Sequence, residues 1–126
     1  VSVSRASELV AVNTETFKVD WRVDLPGVPA RVVVQPDGRF VWVGHDGGAT
    51  ARPGVVGIDT ESGRIVAEIP TGRGHHEMAF SATGAVLTVT SRRDGVISTI
   101  DVARMSVVKT QGLGGLLEPW RPLLCG

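Results

Sequence analysis

Val55-Val56-Gly57-Ile58-Asp59-Thr60-Glu61 decides how this chain is read, because it occurs more than once. Leu9-Val10-Ala11-Val12-Asn13-Thr14-Glu15 matches it 46 residues earlier. Ile97-Ser98-Thr99-Ile100-Asp101-Val102-Ala103 matches it more loosely, 42 residues later. Between these copies Gln35-Pro36-Asp37-Gly38-Arg39-Phe40 answers to Ser81-Ala82-Thr83-Gly84-Ala85-Val86, again 46 residues on. Apolar and polar residues alternate at period two through these stretches, which is the strand signal. Each ends in Asn, Asp, Pro or Gly, the residues tight turns need for side-chain hydrogen bonds or positive φ.

The alternation predicts strands near 8–13, 17–25, 30–35, 39–44, 54–59, 64–69, 76–81, 85–90, 96–101 and 105–110. No stretch sustains a helical period. A strand-built repeat of this length is the signature of a β-propeller blade, a four-stranded antiparallel meander whose first strand lines a central channel. The expected fold is all-β, an incomplete β-propeller of about two and a half blades. Residues 1–25 hold the outer strands of a preceding blade, 26–69 form one blade and 70–111 the next. Residues 112–126 leave the pattern, with two prolines and several leucines where a new blade should begin, and are expected to be poorly ordered.

Propellers close with about four to eight blades, and an open arc leaves blade faces bare. Val32, Val34, Phe40, Trp42, Val43, Ala79, Phe80, Leu87 and Val89 are therefore expected to want neighbours on both sides. The implied partners are the remaining blades of a longer protein or another copy of the chain.

Composition narrows the function. The 13 Lys and Arg balance 13 Asp and Glu and are dispersed, which argues against nucleic acid or an anionic membrane as partner. No apolar run reaches the roughly 18 residues of a membrane span. The single cysteine, Cys125, forms no intrachain disulfide. Residues 1–12 show no basic region followed by an apolar stretch, although the chain starts at Val1 rather than Met.

Gly54 to Gly72 runs Gly-Val-Val-Gly-Ile-Asp-Thr-Glu-Ser-Gly-Arg-Ile-Val-Ala-Glu-Ile-Pro-Thr-Gly, and resembles the YVTN-type β-propeller repeat, a WD-like class. Met78-Ala79-Phe80-Ser81-Ala82-Thr83-Gly84 resembles that family's Val-Ala-Phe-Ser-Pro-Asp-Gly step. Leu87-Thr88-Val89-Thr90-Ser91 and Phe40-Val41-Trp42-Val43-Gly44 stand at the Tyr-Val-Thr-Asn signature, each keeping only part of it. The repeat class is also similar to the haem propeller of cytochrome cd-type nitrite reductases, to methylamine dehydrogenase heavy chains and to lactonase-type propellers. The resemblance implies export, often to the periplasm. It admits a haem or a divalent metal and requires neither. Functions so varied are not decided by fold.

Blade geometry sorts the connections by edge. The short turns 13–16, 36–38, 59–63, 82–84 and 102–104 fall on one edge of the sheets, and the longer loops 45–53, 70–75 and 91–95 on the other. All three histidines lie at that second edge: His45, His75 and His76, accompanied by Asp46 and Glu77. Histidine beside a carboxylate is the grouping a metal or haem iron uses, and it also serves proton transfer. Neighbouring strand residues point to opposite faces, so at most one of His75 and His76 meets a given ligand. The alternative is that the pair caps its strand. Arg92 and Arg93, with Asp94, occupy the next loop on that edge, placed to bind carboxylates or simply solvated. No Cys-x-x-Cys-His is present, which excludes a covalent c-type haem within these residues.

Three functions remain open. A binding scaffold with the histidine-bearing edge as its site comes first, because no catalytic constellation is visible. A haem- or metal-binding redox propeller is the second, with His45, His75 and His76 the only candidate ligands. A lactonase-like hydrolase is the third, although Ser91 has no nucleophile-elbow motif around it.

Overall fold

The computed structural model describes residues 2–3, 7–47, 52–73 and 76–112, with backbone alone for Ser2, Val3 and His76. All regular structure among them is strand, in three antiparallel meanders. The first sheet holds β1 (Ser2–Val3), β2 (Glu8–Val12) and β3 (Val19–Asp24). The second holds β4 (Pro29–Val34), β5 (Phe40–His45), β6 (Gly54–Asp59) and β7 (Ile65–Pro70). The third holds β8 (His76–Phe80), β9 (Val86–Ser91), β10 (Val96–Asp101) and β11 (Ser106–Gly112). The chain is thus all-β, an arc of a β-propeller. All ten strands legible in the alternation are present. β1 was not legible, since two residues are too short to carry a period. Gly112, read as the first off-pattern residue, closes β11, and 113–126 lie outside the described residues.

The repeated Asn or Asp builds the same turn three times. The Asn13 side-chain oxygen accepts the N–H of Glu15 and Thr16 at 2.8 and 3.1 Å. Asp59 accepts those of Glu61 and Ser62 at 2.8 and 3.2 Å, and Asp101 that of Arg104 at 3.1 Å. Four residues beyond each stands a left-handed residue: Phe17 (φ 59°), Gly63 (φ 73°) and Met105 (φ 52°). The ladder shifts at Ala11/Val12, Gly57/Ile58 and Thr99/Ile100, one bulge in each hairpin. The β4–β5 and β8–β9 turns repeat too, with Gly38 and Gly84 at φ 75° and 77°.

Alternation along the strands builds two cores. Val43, Val56 and Ile58 of the second sheet meet Leu9 and Leu25, with Trp21, Val23, Val41 and Ile65 packed around them. From the other face of the second sheet Phe40, Trp42, Val55 and Ile69 meet Leu87, Val89, Ile100 and Val102 of the third. The second sheet is therefore apolar on both faces, as expected of a blade between blades.

Its innermost strand departs from that expectation. Val33 packs into the core, but Val34 is 60% exposed and Val32 is exposed beside it. Both share a face with Val41 and Val43, which turn toward the first sheet. Among the described residues of that sheet the innermost strand is the two-residue β1. The third sheet departs in another way. Leu87 and Val89 turn inward, while the alternate positions hold Thr88, Thr90, Thr99 and Lys109, so its outer face is largely polar.

Candidate functional site

Strand direction puts two kinds of connection on opposite edges. At the loop edge His45 ends β5 opposite Pro29, and His76 begins β8 opposite Ser91. At the turn edge lie the repeated hairpins. The structure thus sets His45 and His76 at corresponding ends of neighbouring sheets. His75 lies outside the described residues.

His45 is only 4% exposed, and its Nδ1 accepts the Gly47 N–H at 3.1 Å. The ring closes the strand onto the loop that follows. In the neutral imidazole that bond leaves the proton on Nε2, so Nε2 offers no lone pair to a metal. Among the described residues no three His, Cys, Asp or Glu side chains gather to hold a metal ion. Asp46 follows His45 and is exposed.

Glu77 forms an ion pair with Arg31 of β4. Both belong to innermost strands, so this contact crosses from sheet to sheet. The Glu77 N–H also donates to Thr90 Oγ1 at 3.3 Å. Arg31 went unnoticed in the sequence, yet a signal existed: it precedes Glu77 by 46 residues, the repeat offset. Equivalent positions in successive blades carry opposite charges.

Arg92 and Arg93 are exposed in the β9–β10 loop. The Arg93 N–H donates to the Arg73 carbonyl at 2.9 Å. Asp94 beside them is engaged by Arg73, whose N–H and Nε reach its two carboxylate oxygens at 2.8 and 3.0 Å. The Arg73 N–H, before anything else, holds the Asp94 carboxyl below the usual carboxylate range. This clamp joins the two loops of the third sheet. In the second sheet Gly27, 46 residues before Arg73, does the corresponding work by backbone approach. A Cβ on Gly27 would lie 2.5 Å from the Gly47 carbonyl oxygen. Ser91, the counterpart of His45, is fully buried.

Two clefts deserve separate description. The first, about 400 Å³ at the loop edge, is lined by Pro26, His45, Arg52, Pro53, Gly54, Glu68, Ile69 and Pro70. Only His45 among these stands out in the sequence; Arg52 and Glu68 come from a loop and an outer strand that no motif joins. The second cleft, about 420 Å³, opens at the turn edge between the second and third sheets.

No family model matches the chain, and no curated protein matches it. Among solved structures it is similar to hydrazine synthase of Kuenenia stuttgartiensis, with a TM-score of 0.74 and 23% identity. The likeness covers 88% of this chain and 31% of that one, so the chain spans about a third of its length. At this identity the likeness speaks for the fold alone.

Proposed function

We propose that the chain is a segment of a YVTN-type β-propeller that serves as a binding scaffold, taking a ligand or protein partner at its loop edge. The sheets that complete the propeller come from the same protein or from another copy. One observation carries the reading: the loop edge is where the repeat stops repeating. The turn edge uses one hydrogen-bonding device three times, whereas the loop edge uses a Gly27–Gly47 backbone contact in one sheet and an Arg73–Asp94 clamp in the next. Function concentrates on loops held by a rigid scaffold.

Within that edge the cleft beside His45 is the favoured position. Arg52 and Glu68 bring opposite charges to its rim, and buried His45 fixes its wall. Asp46, Glu77, Arg92 and Arg93 lie along the same edge as further polar contacts; His75 and His76 complete the set read from the sequence.

Ligands are found by the rise they cause in the thermal midpoint, because a molecule that binds only the folded state raises it. Arg52→Glu and Glu68→Lys, both exposed, are expected to abolish that rise. Glu15→Gln, exposed at the opposite edge, leaves it intact. A rise that survives both loop-edge reversals overturns the assignment.

A further inference from the structure

The repeat offset lays one seam of the molecule over the other. Trp21 corresponds to Ala67, 46 residues on, while Thr60 and Gly63 correspond to Val102 and Met105, 42 residues on. At the first seam the Trp21 indole lies across Gly63, where an added Cβ would sit 2.6 Å from the ring. Its Nε1 donates to the Thr60 carbonyl at 2.8 Å. At the second seam Ala67 stands where the indole-bearing residue would be. Val102 and Met105, the counterparts of the indole's seat, line the open turn-edge cleft of about 420 Å³. Phe40, Ala85 and Ala103 extend that apolar lining.

The polar rim consists of Gln35, Asp37, Arg39 and Thr83. Asp37 is engaged by the chain itself. Gln35 Nε2 lies 3.1 Å from both its carboxylate oxygens, and the Arg39 N–H donates to one of them at 2.9 Å. Gln35 is buried and is held in turn by Trp42, whose Nε1 donates to its Oε1 at 3.0 Å. The Arg39 guanidinium lies over the Phe40 ring, 5.1 Å from its centroid; its charge also acts on Asp59, yet it enters none of the ion pairs formed among the described residues. A guanidinium oriented by an aromatic face keeps its fork of N–H donors for a planar anion, and carboxylate is the planar anion that fits.

We propose that this cleft binds a small aromatic carboxylate, its ring against Phe40, Val102 and Met105 and its carboxylate on Arg39. The volume falls within the range of about 300–1,000 Å³ usual for small-molecule sites. The site is separate from the loop-edge cleft.

Indole-3-acetate is the probe, with its methyl ester as the uncharged control, and binding to the full chain is read by ligand-observed saturation-transfer NMR. The acid is expected to bind saturably, with the ester about tenfold weaker, as loss of a charge-assisted pair implies. Arg39→Gln weakens the acid by the same factor and leaves the ester unchanged. Ala103→Trp, which puts an indole into the cleft itself, abolishes binding of both. Absence of saturable binding overturns the proposal. So does equal binding of acid and ester, or binding that survives Arg39→Gln. Should the Ala103→Trp chain not fold, the exposed Arg39→Gln decides alone.

Discussion

The two seams between sheets solve one packing problem in opposite ways. At the first seam the outer strand β3 supplies a large residue, Trp21, and the facing turn supplies none, Gly63. At the second seam β7 supplies Ala67 and the facing turn supplies Met105, and both pack against the core. Large against small has become small against large. A second pair behaves likewise. Trp42 lies opposite Gly57, where a Cβ would be 3.0 Å from the indole, and the corresponding residues of the third sheet are Thr88 opposite Thr99. The repeat therefore preserves backbone geometry and the space between sheets, not the residues that fill it. Interiors packed to crystalline density require this, since a change on one side of a contact must be answered on the other.

The largest effect is expected where that answer is removed altogether. Trp42→Thr gives the second sheet the third sheet's residue without its partner, because Gly57 stays. The indole is fully buried and Gln35 loses its donor, so the loss is about 4 kcal/mol, in the range for emptying a large aromatic site. Thr88→Ala, on the polar outer face, costs less than about 1 kcal/mol. Urea titrations of the two variants measure the contrast, and equal losses would break it.

Gly63→Ala comes next. It forces a Cβ into Trp21 and places a side chain at φ 73°, together about 3 kcal/mol. In a Trp21→Ala background the clash disappears and only the backbone part remains, about 1 kcal/mol. A double-mutant cycle in urea reads the difference as coupling between the two residues. An uncoupled pair would mean that the turn conformation alone demands glycine.

These pairs mark the limit of what the sequence discloses. The ten longer strands and the two edges were legible because period-two alternation and turn chemistry are local properties. Asn13, Asp59 and Asp101 each bond within their own turn, so they repeat as letters. Trp21 and Gly63 do not: they meet across a seam, 42 residues apart, and the counterpart pair keeps neither letter. Loop-edge residues follow the same rule. His45 stood out by type, whereas Arg52 and Glu68 acquire meaning only from the cleft they share with it. Arg31 is hidden for the same reason: its partner Glu77 lies 46 residues away in the next sheet, and nothing local to either residue marks the pair.

A smaller effect, opposite in sign, separates the three turns. Phe17 and Met105 both occupy the left-handed position that Gly63 fills without strain. Phe17 is 82% exposed, so Phe17→Gly removes strain and little packing, and stabilises by about 1 kcal/mol. Met105→Gly gains the same relief but gives up a side chain packed on the second core, and so shows no net gain. Thermal midpoints of the two variants test this, and a matched gain in both would deny Met105 its part in filling the seam.

The smallest effect compares the two edges in acid. At the turn edge the N–H groups of Ser62 and Glu61 hold the Asp59 carboxyl below its ordinary range. At the loop edge the Arg73 N–H does the same for Asp94. A folded-state pKa below the unfolded one adds stability that is present above the unfolded value, about 3.9, and is lost as pH falls through the folded value. Stability should therefore decline below about pH 4, and both substitutions to Asn should make that decline shallower. At neutral pH they should differ. Asn13 already builds the same turn without charge, so Asp59→Asn leaves neutral stability nearly unchanged. Asp94→Asn keeps an acceptor for the Arg73 N–H but loses the ion pair that joins the two loops. Urea midpoints recorded from neutral pH into acid, with and without added salt, separate the cases. A salt-dependent loss confined to Asp94→Asn would make the loop edge the electrostatic edge, and an equal response at both positions would remove that distinction.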